Sequence, residues 1–445
     1  METHYVQELK SFSKSEILNY LGNDDDILEK LRLHNIINKN NGDNYNFHFV
    51  GVIVMDEIVL NIYPKYILNE NNIKEDFEQI IKVINKYNKT HEDFDNQNED
   101  LEDISIYILS LMLFFIGDYY ENGIYHNTKN IIEINGNGEI NWDRTINYTY
   151  PIIKNSTPYY LELQTNYRKD NLFDYFRLLH EFVITQCSKK LNESGLLQIL
   201  NLPPVELSDK IQDDFGNVDY ILNKLLMELN VEFNTHKRKL LNSMHAFFSQ
   251  MNYLSNEKVL TVYGVTDYEY VWEDVCSQVF DNKLDAKLYD LGLKFEENCT
   301  LREFINKVIW HIDDVDYKKN RLRPDLISLR DNIFFIFDAK YYNYTIEDGK
   351  LKGQPKLESI TKQYLYELAY KKLLVTNKLN VKNAFLFPDS GENFINPGYV
   401  ELDIWYCLNL QNIEIIRVPA KNIYNCYLES ETIDIFNELE KLNSN

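Results

Sequence analysis

The chain has 445 residues, of which 44% are hydrophobic and 14% aromatic, and it carries a formal net charge of −23 at pH 7. That apolar share excludes wholesale disorder and is enough to build roughly two or three domains with cores of their own. The acidic balance excludes a protein whose whole surface grips nucleic acid, since that needs a positive footprint, so any contact with DNA has to be local.

Glu2, Glu8 and Lys10 interrupt any leader-like apolar run after Met1. From Ser13 to Asn38 two short helical patterns occur, Glu16 to Leu21 and Ile27 to Ile37, and a hairpin is expected from Asn46 to Tyr66. Helix, helix, hairpin is the order of a winged-helix module. It serves either DNA recognition or protein docking, and the few basic groups of the second helix, Lys30, Arg32 and His34, favour docking. The stretch from His91 to Asp103 is acidic and reads as a loop or the start of the next helix. That helix, Leu101 to Tyr120, holds the longest apolar run, Ile104 to Ile116, which includes Ser105 and Ser110 and falls well short of the roughly 20 residues needed to cross a bilayer.

Asn135-Gly136-Asn137-Gly138 marks a turn between strands. Arg144 after it is either a contact to a partner or nucleotide or an ordinary ion-paired arginine. Tyr159 to Gln164 reads as a strand, and Phe173 to Leu191 as a long helix in which a lone histidine, His180, reads as packed. Helical spacing continues from Val218 through Met251, and a boundary is expected between Leu254 and Lys258. The division expected is thus an α+β docking or DNA-binding domain over 1–150, a mainly helical connector over 151–254 and a third domain over 255–445. The five cysteines, Cys187, Cys276, Cys299, Cys407 and Cys426, form no zinc-like pair and read as reduced core thiols of a soluble, cytoplasmic protein.

The third domain carries the chemistry. In Asp267 to Phe280, Trp272, Val275, Cys276, Val279 and Phe280 recur at helical spacing, which puts Glu273 at the margin of the buried face. A basic run, Lys318, Lys319, Arg321 and Arg323, leads into Pro324-Asp325. Leu326 to Leu329 and Ile333 to Phe337 are apolar strands joined by the turn-like Arg330-Asp331-Asn332, so Asp325 opens one strand of a hairpin while Asp338 and Lys340 close the other. Side chains two apart on a strand share a face, so Asp338 and Lys340 point together, and Asp325 reaches them across the hairpin. Two carboxylates suffice for Mg²⁺, which takes one or two protein carboxylates and completes its octahedron with water and substrate phosphate; Mn²⁺ is a possible substitute. A lysine beside them can orient or deprotonate the attacking water. Lys350, Lys352 and Lys356 form a second basic cluster. Ile360 to Leu374 is a further helix, with Lys362, Gln363 and Tyr364 in its first turns, and Ala384 to Phe387 a further strand.

Pro-Asp, a spacer and Asp-Ala-Lys, with a helical glutamate before and a Gln-Tyr helix after, resembles the PD-(D/E)xK nuclease superfamily. Within it the sequence is most similar to LlaJI-type restriction endonucleases and the related McrC subunits. Those families also have an upstream hairpin ending in Pro-Lys-Tyr, matched here by Phe49 to Ile53 and Leu60 to Tyr66. Asp338 stands where many members have glutamate, an accepted variant. The resemblance implies an α/β chain, α+β overall, with a restriction-endonuclease-like third domain and a Mg²⁺-dependent cut in DNA. Asp325, Asp338 and Glu273 would be metal ligands, Lys340 the activating lysine, and Lys318, Lys319, Arg321, Arg323 and Gln363 contacts to DNA. No Gly-x-x-x-x-Gly-Lys-Ser/Thr loop is present, and the family implies a separate AAA+ GTPase motor of McrB type in a hetero-oligomer. The alternatives are a non-catalytic activator of a motor NTPase and a DNA-binding module.

Overall fold

The computed structural model describes residues 2–40, 42, 44–55, 58–68, 72–91, 104–254, 260–296, 298–305, 307–312, 315–402 and 410–443. The expected acidic loop therefore lies outside the described residues beyond His91, as does most of the expected boundary at 254–258. The fold is mixed α/β. It divides into two units, residues 1–102 with 262–445 and residues 103–261.

This grouping differs from the linear division expected at 150 and 254, and the reason is a strand. Leu260–Val265 returns to the N-terminal sheet, whose order is Glu2–Gln7, Ile58–Tyr63, Val50–Met55, Leu260–Val265. Two glycines permit that return. A Cβ on Gly51 would lie 2.1 Å from the Tyr263 carbonyl oxygen, and one on Gly264 would lie 2.2 Å from that of Val50, so only bare backbone fits where the strands touch. The expected hairpin is present, with Val50–Met55 antiparallel to Ile58–Tyr63. Ahead of it, the helices Lys14–Tyr20 and Asp25–Leu33 accompany a small sheet of Phe12–Ser13, Asn44–Phe47 and Ile37–Lys39.

The sheet that carries the predicted site has the order Leu326–Arg330, Ile333–Ala339, Asn380–Asp389, Ile413–Pro419, Ile395–Val400. Leu326–Arg330 and Ile333–Ala339 are antiparallel and meet at a turn where Asp331 takes a φ of 53°, a left-handed conformation that aspartate tolerates. Ile333–Ala339 then runs parallel to Asn380–Asp389, which needs a crossover, and the helix Leu357–Asn377 supplies it. Ile327, Phe334 and Ile336 pack with Tyr366, Tyr370, Leu373 and Leu374 of that helix.

The unit of residues 103–261 combines the helices Ile104–Asn122, Tyr175–Glu193, Val218–Leu229 and Thr235–Leu254 with two small antiparallel sheets. Residues 152–170 of the expected helical connector include three strands, Ile152–Lys154, Thr157–Tyr159 and Gln164–Asp170. His180 is fully buried, its Nδ1 accepts the Tyr125 N–H at 3.1 Å, and burial pushes its pKa down to about 4, so it is a neutral packed residue. Arg144 stacks on Tyr148 at 5.0 Å.

Candidate active site

The apolar strand Ile333–Ala339 ends in charge. Phe334 and Ile336 face the crossover helix, and period-two alternation carries Asp338 and Lys340 onto that same face. Asp338 is only 5% exposed, and Lys340 Nζ lies 2.5 Å from its Oδ2. A carboxylate so buried needs a cation or a proton, and the lysine supplies the cation.

Asp325 approaches from the partner strand as the hairpin requires. Its Oδ2 accepts the Ala339 N–H at 2.9 Å, and its side chain also hydrogen-bonds Asp338. Burial, with the charges of Asp338 and Glu273 added, pushes the Asp325 carboxyl well above the carboxylate range against the pull of Lys340. The hydrogen bond and the close approach of the two carboxyls favour the neutral form of Asp325.

Glu273 lies on the helix Tyr268–Val279, which is anchored by its buried neighbour Trp272. Trp272 Nε1–H donates to the Leu386 carbonyl at 3.1 Å, and the Lys340 N–H donates to that same oxygen at 2.9 Å. One carbonyl therefore ties the glutamate's helix to the lysine's strand. Burial, with the charges of Asp338 and Glu269, raises the Glu273 carboxyl to about 7, while Lys340 and Arg323 oppose the rise. Burial pulls the Lys340 ammonium down, but Asp338, Asp325 and Glu273 outweigh it and hold the ammonium above its ordinary range. Glu273, Asp325, Asp338 and Lys340 are thus one electrostatic group. No three His, Cys, Asp or Glu side chains among the described residues converge closely enough to ligate one metal together. Asp325 and Asp338 meet as a pair, and Glu273 stands beside them without completing a three-carboxylate cluster.

Other predicted residues fall differently. Arg323 is exposed on the segment that leads into Asp325. The backbones of Lys318, Lys319 and Arg321 belong to the strand Val315–Arg321, but their side chains lie outside the described residues. Gln363 requires a correction. It is fully buried, and its Nε2 donates to the Ile336 carbonyl at 2.8 Å, so it locks the crossover helix to the strand that carries Asp338 instead of facing solvent where DNA could reach it. Its helix buries Gln363, Tyr364, Tyr366, Glu367 and Tyr370, a stripe at helical spacing that marks it as an inward residue.

The family model described as LlaJI restriction endonuclease matches the chain over residues 49–421. The chain belongs to the LlaJI restriction endonuclease family. This member is 28% identical over 464 residues to the type II restriction enzyme BsuMI component YdjA of Bacillus subtilis, covering 98% of this chain and 92% of that protein. Among solved structures, it is similar to a chain of the half-complex of Thermococcus gammatolerans McrB AAA+ hexamers with bound McrC, at 11% identity and a TM-score of 0.40, with 96% of this chain and 99% of that one covered. A chain of the Thermococcus gammatolerans McrBC complex matches at 11% identity and a TM-score of 0.26, over 61% of this chain and 85% of that one.

In this LlaJI family member, two residues that the sequence did not single out hold the site in place. Asn282 Nδ2 donates to the Asp325 carbonyl at 3.0 Å while its Oδ1 accepts the Ile327 N–H at 3.1 Å and the Leu284 N–H at 3.0 Å, clamping the backbone on both sides of the strand's first residue. The Tyr366 hydroxyl donates to the Arg323 carbonyl at 2.8 Å and fixes the segment that leads into Asp325. Asn282 sits in a loop without periodicity, so nothing local distinguishes it. Tyr366 is visible in the sequence only as one of many tyrosines on its helix.

Proposed function

We propose that this chain is the DNA-cutting subunit of a restriction system, a Mg²⁺-dependent endodeoxyribonuclease. The observation that carries the reading is the buried Asp338 held against Lys340, with Asp325 hydrogen-bonded to it across the hairpin, a donor set that fits a hard cation with water and phosphate as its remaining ligands. Asp325 and Asp338 would hold Mg²⁺, or Mn²⁺ in its place, and the ion when bound would supply Lewis acidity toward the scissile phosphate. Lys340 orients the attacking water with its ammonium and offsets charge gathering on the phosphate. Glu273, with a carboxyl near 7, is poised at neutral pH to accept a proton from that water or to hold a neighbouring one. Arg323 takes the phosphate backbone beside the aspartate pair, together with Lys318, Lys319, Arg321 and the exposed Lys350 and Lys356.

The net charge of −23 leaves DNA affinity to a further subunit. We infer a hetero-oligomer with a separate AAA+ GTPase of McrB type, as the resemblance implies. The segment of residues 128–159, strands with the short helix Trp142–Tyr148 between them, supports a partner surface, since Ile134, Trp142, Tyr148, Tyr150, Ile153 and Tyr159 are all exposed there, and apolar exposure of this kind marks interaction sites. The test is to purify the chain together with the other subunits of its system and assay plasmid DNA with Mg²⁺, with and without GTP. Cleavage that EDTA stops and that Asp338→Ala or Lys340→Ala removes is the expected result. Equal cutting by both variants would discard the assignment.

A further inference from the structure

The residue after the catalytic lysine is anchored in an unusual way. Tyr341 is 4% exposed, and its hydroxyl donates to Oε2 of Glu8, a carboxyl also 4% exposed that follows the first strand of the N-terminal sheet. Lys65, from the Pro64-Lys65-Tyr66 corner of that sheet, reaches the same place with three different groups. Its N–H donates to Glu8 Oε2 at 3.2 Å and lies 3.3 Å from the Tyr341 hydroxyl. Its carbonyl accepts from Asn343 Nδ2 at 3.2 Å and from Gln7 Nε2 at 3.2 Å. Its ammonium sits 4.1 Å from the centre of the Tyr341 ring and 6.0 Å from that of Tyr342. Tyr268 and Tyr66 close on Tyr341, with ring centres 5.2 and 6.4 Å away.

Cross-linking two packed sheets does not require this chemistry. Apolar side chains would do it without burying a carboxyl and half-burying an ammonium, each of which carries a desolvation penalty. What the arrangement does is fix one backbone. Lys340 lies just past the last strand residue, Ala339, and continues the ladder through its N–H, which donates to the Leu386 carbonyl. Beyond that bond, the direction of the Lys340 side chain depends on where Tyr341 is held.

We propose that Lys65 and Glu8 are positioning residues of the catalytic centre: they fix Tyr341, and through it the reach of Lys340 to Asp338. The N-terminal corner is on this account part of the nuclease site. The inference rests on the reading of Lys340 as the activating lysine, and its test separates the two. The full chain, assembled with the other subunits of its system, is assayed on plasmid DNA as wild type, Asp338→Ala, Lys65→Met, Lys65→Arg, Glu8→Gln and Tyr341→Phe.

Lys65→Met and Tyr341→Phe should lower kcat by about 10- to 100-fold, the size of a catalytic group displaced by about an ångström, with KM for DNA little changed. Glu8→Gln should fall in the same direction. The pH–rate profiles should also move, because Lys340 no longer sits at the same distance from Glu273 and Asp338. Lys65→Arg keeps a cation over the ring and should recover most of the rate. A wild-type kcat and pH profile in both Lys65→Met and Tyr341→Phe would overturn the proposal, as would a loss confined to KM. If Lys65→Met does not fold, Tyr341→Phe and Lys65→Arg decide on their own. Cutting by Asp338→Ala equal to wild type would instead remove the nuclease reading itself.

Discussion

The sheet holding Asp338 and the small sheets of residues 128–170 use strands in opposite ways. In Ile333–Ala339 every residue after Ile333 is buried, so the charges at its end are desolvated and must be neutralised by one another. In Thr128–Ile134 all but one residue is exposed, and the strands Ile152–Lys154 and Thr157–Tyr159 are exposed throughout. Burial tunes chemistry in the first case, whereas exposure leaves apolar surface for a partner in the second. On the proposed reading, reaction and assembly fall in separate parts of the chain, and a substitution in one should leave the other's property intact.

The largest effect expected on the buried side is loss of cleavage. Asp338→Ala or Lys340→Ala should reduce the rate by about a thousandfold or more, as loss of a metal ligand or activating group does, while the subunits still co-elute in size-exclusion chromatography. The exposed side should give the mirror image. Trp142→Ala, at a residue 54% exposed, should weaken association with the partner subunit by about 10- to 100-fold, as loss of an interface tryptophan anchor does, with an unchanged melting temperature for the isolated chain. Calorimetry of the two variants side by side would break the comparison if either moved both properties.

A smaller effect follows from the raised carboxyls. Because Glu273 titrates near 7 in the fold and near 4.5 when unfolded, its preference for the neutral form stabilises the protein fully below about 4.5, and that stabilisation is lost as pH rises through about 7. Asp325 shifts in the same direction. The metal-free protein should therefore melt lower at pH 8 than at pH 6 as far as these groups contribute, Glu273→Gln should flatten that slope, and Asp325→Asn should melt no lower than wild type at pH 8. Thermal melts across pH without divalent cation would show it. Smallest is Gln363→Leu, which removes the bond to the Ile336 carbonyl and should cost about 1–3 kcal/mol in a denaturant titration while leaving DNA affinity unchanged.

The hairpin and its charges are legible because apolar runs, a short turn and period-two alternation act within about 20 residues. Those cues place Asp325, Asp338 and Lys340 together, and helical spacing puts Glu273 at their margin. What stays hidden depends on long-range pairing. Leu260–Val265 joins Val50–Met55 across some two hundred residues, and Gly51 and Gly264 are the only local trace of it. Glu8 meets Tyr341 over a separation of 333 residues, and no periodicity encodes that contact. Gln363 is misread when its side-chain type is weighed above the inward stripe of its helix. The helix–helix–hairpin order of the first segment is visible in the sequence, but its place in the same unit as the sheet that holds Asp338 is not.

The central claim is that Asp325, Asp338 and Lys340 cut DNA with a divalent cation. Its most direct test is single-turnover cleavage of plasmid DNA by the assembled system in Mg²⁺, comparing wild type with Asp338→Ala at matched DNA occupancy. The account predicts linear and nicked product from wild type alone, abolished by EDTA and restored by added Mg²⁺. Cleavage by Asp338→Ala at the wild-type rate, or wild-type cleavage indifferent to EDTA, would contradict it.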